Sequence, residues 1–451
     1  MKEESPEDAP SLEGFPPEEF QARRRAIQEA LGDAVLVLPA APLLHRSRDS
    51  EYPYRPSSEL FYATGATEEG SVALLRGREA GGEYILFVRP RDTKAERWSG
   101  PRLGPEGARE LLGPDQVHTS DELEAILPGL LVGPARIYYR LGADTTLDRH
   151  VRMGLERGRS RGPRRGTGPR ELVDPGEVLD ELRLRKSPRE IERMRRAARV
   201  TVEGHREAMG WARPGSGEWE IQAEVEAVFR RMGARGPAFP TIAGSGKNGC
   251  VLHYVGNGRR TCEGDLVLLD AGAEVGLYAG DVTRTFPVSG RFRAEQKDVY
   301  EVVLAAHRAA LGAVGPGEPF SHVHRAAVQA LTEGLVALGV LEGDVDELVE
   351  AKAHEAYFPH RTSHWLGLDV HDVGDYARNG QSRVLEPGMV LTVEPGLYFP
   401  SNGDPEPGPY DGIGVRIEDD VLVTEDGMEN LTADLPVEID DVEARVGVRW
   451  A

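Results

Sequence analysis

The sequence predicts an α+β protein in two parts. A smaller α/β domain precedes a larger domain whose antiparallel sheet is flanked by helices. Three observations carry that expectation. The chain has 451 residues, more than one hydrophobic core usually organises. Strand-like and helix-like segments alternate as far as about residue 175, the texture of an α/β domain. Beyond that point, two long amphipathic helices lead into short apolar strands and Gly/Pro-rich loops, with two further helices among them.

In chain order, residues 1–16 are acidic and Pro-rich, without the basic start and apolar run of a secretory signal, and are expected to form a disordered tail. The first domain then spans 17–175. PEEFQARRRAIQEALG reads as a helix stopped by Gly32, and AVLVLPA as a short buried strand. SVALLRG and EYILFVRP are strands separated by the Gly-rich EAGG turn. PEGARELLG is a helix and ARIYYRLG a further strand. Residues 149–170, dense in Arg and Gly, read as a solvated, flexible surface segment near a domain junction rather than a nucleic-acid contact.

The second domain spans 176–451. Ser187-Pro188 supplies a cap and a first turn, and Ile191, Met194, Ala198 and Val202 recur at helical spacing behind them. EWEIQAEVEAVFRRMG follows as a helix ending at Gly233, and two more helices are expected near 296–313 and 321–339. A formal charge of −21 argues against a nucleic-acid binder. No run of about 18 apolar residues occurs, so no membrane span is expected. Cys250 and Cys262 offer no disulfide framework. Two buried free thiols are preferred over a pair, and a reducing cytoplasm is the expected location.

The chemistry lies in four segments. In GDLVLLDAGAEVGLYAGDVTRTFPV, Leu266–Leu269 read as a buried strand and Asp281–Val288 as its partner. If Val275-Gly276 forms a two-residue loop, Glu274 faces Leu277 and Asp270 stands opposite Asp281. Opposed residues have Cβ atoms ~4.5–5.5 Å apart, and two aspartates that close repel unless one is protonated or a cation lies between them. The count depends on loop length, and exposed turn aspartates are an equal reading of this pair alone. In EPGMVLTVEPGLYFP, Glu394 ends an apolar strand and needs a partner. In DGIGVRIEDDVLVT, Arg416 and Glu418 are two apart, so a strand points both to one face; alone they read as a salt bridge. YFPHRTSHWLGLDVHDVG holds His360, His364 and His371, on a loop rather than a helix because Pro359, Ser363 and Gly367 intervene.

Together these residues change the balance. Asp270, Asp281, Glu394 and Glu418 with His364 are costly to bury uncompensated, and two divalent cations would neutralise the carboxylates. Hard oxygen ligands with one imidazole suit Mn²⁺, and less decisively Co²⁺, Fe²⁺ or Zn²⁺. Two such ions ~3.5–4 Å apart can hold a hydroxide at neutral pH and polarise a carbonyl, which points to hydrolysis.

These segments, in this order, resemble the pita-bread metallopeptidases and, within them, the aminopeptidase P (Xaa-Pro aminopeptidase) group. The likeness extends to SGKNGCVLHY, KSPREIERMRRA and, in the first domain, YPYRPSSELFYATGATEEGSVALL. It covers about residues 17–430. It implies a pita-bread catalytic domain behind an accessory domain, acting on peptides with an Xaa-Pro N-terminus by attack of a metal-bridging hydroxide. Asp270 would bind one ion, His364 and Glu394 the other, with Asp281 and Glu418 bridging. Glu394 would shuttle the proton to the leaving nitrogen. His253 and His371 would orient substrate, His360 would line the proline pocket, and Arg416 would hydrogen-bond near the bridging ligands. Asp369 and Asp372 are candidates for orienting the histidines. A homodimer or homotetramer is implied, with Trp98 a candidate contributor to a neighbouring subunit's site. Prolidase shares the fold and ligands, and a non-catalytic binding module is the reading from a different class.

Overall fold

The computed structural model describes residues 12–165, 167–401 and 408–450. The chain divides into two compact units, one ending at Arg183 and the other starting at Leu184. Of the expected tail, residues 1–11 lie outside the described residues. The rest is packed: Leu12 and Phe15 are buried, and Phe15 sits edge-on to Phe20 and Phe61. Two apolar side chains outweigh the acidic residues around them.

In the first unit, α1 (Pro17–Leu31) stops at Gly32, whose φ of 55° suits glycine. Six strands form one mixed sheet: β1 (Ala34–Pro39), β2 (Val72–Arg76), β3 (Tyr84–Val88), β4 (Gln116–Thr119), β5 (Arg136–Tyr138) and β6 (Glu171–Val173), in the order β4-β3-β2-β1-β5-β6. The β1–β2 and β2–β3 pairs are antiparallel and the others parallel. The Arg/Gly segment departs from expectation. Most of it belongs to a 21-residue helix, α2 (Thr145–Arg165). Leu147 and Val151 are buried in the sheet's core, and a Cβ added at Gly154 would lie 2.8 Å from the Leu131 side chain. Arginine is a good helix former, so a chain rich in it stays helical once one face is held by packing.

In the second unit, α3 (Pro188–Trp211) begins with a capping box. Ser187 Oγ accepts from the Glu190 amide, and the Glu190 carboxylate accepts from the Ser187 amide. With α4 (Glu218–Arg231) it covers one face of an antiparallel sheet made of β7 (Ile242–Ser245), β8 (Leu266–Ala271) and a later strand at Val282–Pro287. Along β8 the side chains alternate. Val267, Leu269 and Ala271 join the helix-side core with Ile221, Val225 and Phe229, while Leu268 packs on the other side with Ile242 and Tyr398. Asp270 shares the parity of Leu268 and so faces away from those helices. A second helix pair, Ala294–Gly312 and Phe320–Ala337, packs Val299, Val303, Leu331 and Leu335 against Leu397, Val415 and Ile417.

The hairpin register differs from the count made on the sequence. β9 (Ala273–Val275) and β10 (Tyr278–Ala279) pair Val275 with Tyr278, so the loop is Gly276-Leu277. Both loop residues have positive φ, 56° and 69°, as a type I′ turn requires. Continuing outward, β8 pairs with β11 (Val282–Pro287) so that Asp270 faces Thr283, not Asp281. The shift is two residues, a full side-chain period. Asp281 therefore stays on the face of Asp270, as a diagonal neighbour. Between the two pairings the backbones almost touch, and a Cβ on Gly272 would lie 1.6 Å from the Gly280 carbonyl oxygen.

The C-terminal part adds β12 (Val390–Val393), β13 (Gly396–Tyr398), β14 (Gly414–Arg416) and β15 (Asp419–Val423). β12 pairs with β15 and β13 with β14. Arg416 and Glu418 thus do not share one strand, because the pairing changes partner between them. Cys250 is half-buried and Cys262 exposed, both as free thiols, so neither is the fully buried thiol expected. Among the described residues, no helix is long and apolar enough to cross a membrane.

Candidate metal centre

A cavity of about 1010 Å³ opens in the second unit, and the candidate metal ligands and catalytic residues line it: Asp270, Asp281, His253, His360, His364, His371, Glu394, Arg416 and Glu418. The strands bring the carboxylates there. Asp270 comes from the end of β8, Asp281 from the residue before β11, Glu394 from the residue after β12 and Glu418 from the link between β14 and β15. His360, His364 and His371 stand on an irregular segment, as expected.

Asp281, His364 and Glu418 converge most tightly, with ligand atoms all within 4.8 Å of one another. His364 Nδ1 lies 3.0 Å from the Trp365 carbonyl oxygen, the geometry of an N–H donating to it. That turns Nε2 toward the carboxylates, 3.4 Å from Asp281 and 3.6 Å from Glu394. Asp270 lies outside the tightest group. One of its oxygens accepts from Arg416 at 2.6 Å, and the other is buried without a protein partner. An orphaned buried carboxylate oxygen beside three convergent ligands is the donor set a hard divalent cation takes.

The charges agree. Burial raises Asp270 to about 6 against the pull of Arg416, with Asp281 adding to the rise. Burial likewise carries Glu394 to about 7, with His364 and Arg416 opposing. Burial and the nearby Asp281 push Glu418 well above the carboxylate range. His364 moves the other way: burial pulls it down, but Asp281 and Glu394 prevail and lift it to about 9. The protein's own groups thus leave a surplus of negative charge at one point.

A second network steadies this floor. Arg416 donates to Thr283 Oγ1 at 3.0 Å and to Tyr398 Oη at 2.9 Å, and Thr283 Oγ1 donates to Glu418 at 2.7 Å. Tyr398 Oη also lies 2.9 Å from His360 Nε2, while His360 Nδ1 is 2.8 Å from the Arg361 carbonyl oxygen. His360 is therefore held neutral and aimed inward, its pKa lowered to about 3 chiefly by burial and then by Arg416. His371 stacks edge-on to His364 at 4.5 Å. Asp372 forms a buried ion pair with Lys186 at 3.0 Å. Tyr398 and Thr283 were not singled out from the sequence. The available signal was period two: Tyr398 stands four residues after Glu394, and Thr283 two after Asp281.

Residues 192–425 match metallopeptidase family M24, and residues 20–138 match the N-terminal domain of aminopeptidase P. The chain is 45% identical over 430 residues to a Xaa-Pro aminopeptidase of Escherichia coli, covering 95% of this chain and 97% of that protein. It is similar to the structure of Pseudomonas aeruginosa aminopeptidase PepP, with a TM-score of 0.91 and 44% identity over 96% of this chain and 98% of that one. It is equally similar, at 45% identity and the same coverage, to zinc-substituted Escherichia coli aminopeptidase P in complex with product, again with a TM-score of 0.91. The α/β unit followed by a pita-bread unit is the architecture of these structures. The chain belongs to metallopeptidase family M24, within its aminopeptidase P group.

Proposed function

We propose that the protein is a dinuclear-metal aminopeptidase that removes the first residue from peptides whose second residue is proline. The observation that carries this reading is the convergence of Asp281, His364 and Glu418 at the floor of a cavity that also holds Glu394 and four further histidines. The names of the relatives support the choice of substrate. Asp270 would hold one ion, His364 and Glu394 the other, and Asp281 and Glu418 both. Mn²⁺ is the first choice for so oxygen-rich a set. Two such ions, when bound, supply a hydroxide at neutral pH and polarise the scissile carbonyl.

The chain's own residues do the rest. An Xaa-Pro bond is a tertiary amide whose leaving nitrogen must be protonated. Glu394, raised by burial, is suited to hold a proton and pass it there. Arg416 and Tyr398 keep His360 oriented against the bound peptide. His253 and His371, at the cavity wall, orient the substrate and support the developing oxyanion. A homodimer or homotetramer in the cytoplasm completes the reading. In it Trp98, 92% exposed, reaches a neighbouring subunit's site.

The test compares an Xaa-Pro-Xaa tripeptide, an Xaa-Pro dipeptide and a Met-Ala peptide, each with and without Mn²⁺. Release of the first residue from the tripeptide, dependent on metal, is expected. Turnover of the dipeptide alone would move the assignment to prolidase, and no turnover of any of them would favour a binding module. Glu394→Gln should lower kcat by about a thousandfold or more while the far-UV spectrum is unchanged, since it removes the proton shuttle and weakens one ion.

A further inference from the structure

Two arginines and no lysine line the cavity. Arg416 is committed: its guanidinium donates to Asp270, Tyr398 and Thr283 on the floor. Arg361 is not. It is exposed, and among the described residues its side chain makes no hydrogen bond or ion pair. Every carboxylate on the wall belongs to the metal cluster, so the cavity offers Arg361 no anion of its own.

Its position gives it a direction. The preceding residue, His360, turns inward to Tyr398 and the metal floor, while Arg361 turns out to solvent. An enzyme that removes the first residue must enclose the free amino end and let the remainder of the peptide leave through the mouth. Arg361 therefore stands on the leaving side. Beside it is His324, also on the cavity wall, whose Nδ1 lies 2.8 Å from Thr362 Oγ1. Burial, then Arg361, keeps His324 neutral, with a pKa of about 4. Its Nε2 remains able to donate a hydrogen bond without adding a second positive charge.

We propose that Arg361, with His324 beside it, is a specificity-determining residue that reads a carboxylate on the leaving side of the substrate: the free C-terminus of a short peptide. This rests on the aminopeptidase reading given above. A planar guanidinium without a partner matches a carboxylate in a bidentate fork, which an ammonium does not. In a chain of net charge −21, such a cation at the mouth also offsets the general repulsion of anionic peptides.

The experiment uses the metal-loaded protein and two readouts. One is kcat/KM for Ala-Pro-Leu, for its C-terminal amide, and for an Ala-Pro-Asp amide that carries the carboxylate on a side chain. The other is calorimetric binding of the leaving fragment Pro-Leu against Pro-Leu amide, which needs no turnover. The free acid should exceed the amide by about fivefold, through KM rather than kcat, as a charge-assisted contact partly in water permits. The ratio should fall toward one in Arg361→Ala, survive in part in Arg361→Lys and invert in Arg361→Glu. An acid-to-amide ratio that is the same in wild type and Arg361→Ala overturns the proposal. A side-chain carboxylate that matches the terminal one overturns only the choice of terminus. An acid preference in fragment binding without cleavage of any peptide overturns the aminopeptidase reading and supports that of Arg361.

Discussion

Glu418 and Asp419 are adjacent in the chain, both almost inaccessible to solvent, and electrostatically opposite. Glu418 turns to the cavity. Burial, Asp281, Glu394 and Asp270 push its carboxyl well above its ordinary range, and Arg416 does not offset them. Asp419 turns to the interior. Burial pushes it up as well, but Arg284 and His307 hold it far below its ordinary range. Its oxygens accept from Arg284 at 2.7 Å, from Thr432 at 2.7 Å and from Asn430 at 2.9 Å, and His307 Nε2 lies 3.1 Å away. Arg284 is saturated in turn by the carbonyls of Thr283, Glu418, Leu435 and Pro436. One carboxylate has its cation supplied by the fold, and the other is left in deficit. Where a buried negative charge serves the architecture, the chain completes it. Where it faces the candidate metal site, the chain leaves it without a matching cation.

The comparison breaks first at Arg284. Arg284→Met should destabilise the protein by about 3–5 kcal/mol, because Asp419 is left buried with little compensation. The double variant Arg284→Met with Asp419→Leu should recover most of that loss in urea unfolding. A single substitution costing under about 1 kcal/mol would show that the closed cluster does not support the fold.

The cavity side should respond in the opposite sense. In chelator-treated protein, Asp281→Asn should raise stability by about 1–2 kcal/mol by removing a repelling charge. With Mn²⁺ the same substitution should lower it, because a ligand is lost and binding stabilises only the folded state. The pH dependence carries the sign. Asp270 and Glu394, raised to about 6 and about 7, bind protons more tightly folded than unfolded. The metal-free protein should therefore lose stability as pH rises from about 4 to about 7. Asp419, depressed, contributes stability that is full above about pH 4 and is lost on acidification below it. Thermal unfolding from pH 3 to 8, with chelator and with Mn²⁺, checks both. A metal-free protein insensitive to pH between 4 and 7 would remove the charge deficit from the argument.

The clustering of the candidate ligands was legible because each stands at the edge of an apolar strand or a Gly-rich loop, where four carboxylates together are costly to bury. The helices were legible for a similar reason: Ser187-Pro188 and Gly32 are punctuation that acts locally. The hairpin register was not, because Leu277 adopts a left-handed conformation that its side chain disfavours, and only the surrounding sheet imposes it. Nor was helix α2, whose glycines read as breaks until Leu131 is seen to need the space beside Gly154. The network of Arg416, Tyr398, His360 and Thr283 joins four separate stretches of chain, and its pairings exist only once β13 and β14 lie side by side. Local signals survive in sequence. Contacts that depend on which strands pair do not.

A third buried carboxylate sharpens the comparison because it has neither a cation nor a deficit. Glu218, fully buried at the start of α4, accepts five hydrogen bonds: from the Ser245 amide and hydroxyl, Asn248 Nδ2, Tyr254 Oη and the Arg259 amide. These donors are neutral, and they bracket the exposed loop that carries His253 to the cavity. Glu218→Ala would leave them unpaired, costing about 1–3 kcal/mol in urea unfolding. By freeing the loop, it should also lower kcat/KM by about tenfold. Glu218→Gln, which keeps the acceptor but turns an N–H toward some of the donors, should fall between. Destabilisation alone would predict the same fractional loss on any background. If Glu218 acts by positioning His253, then Glu218→Ala added to His253→Ala should cost the same stability but little further activity. Equal activity losses on both backgrounds would make Glu218 a purely architectural residue, and would leave His253 held by the packing of Leu252 and Tyr254 alone.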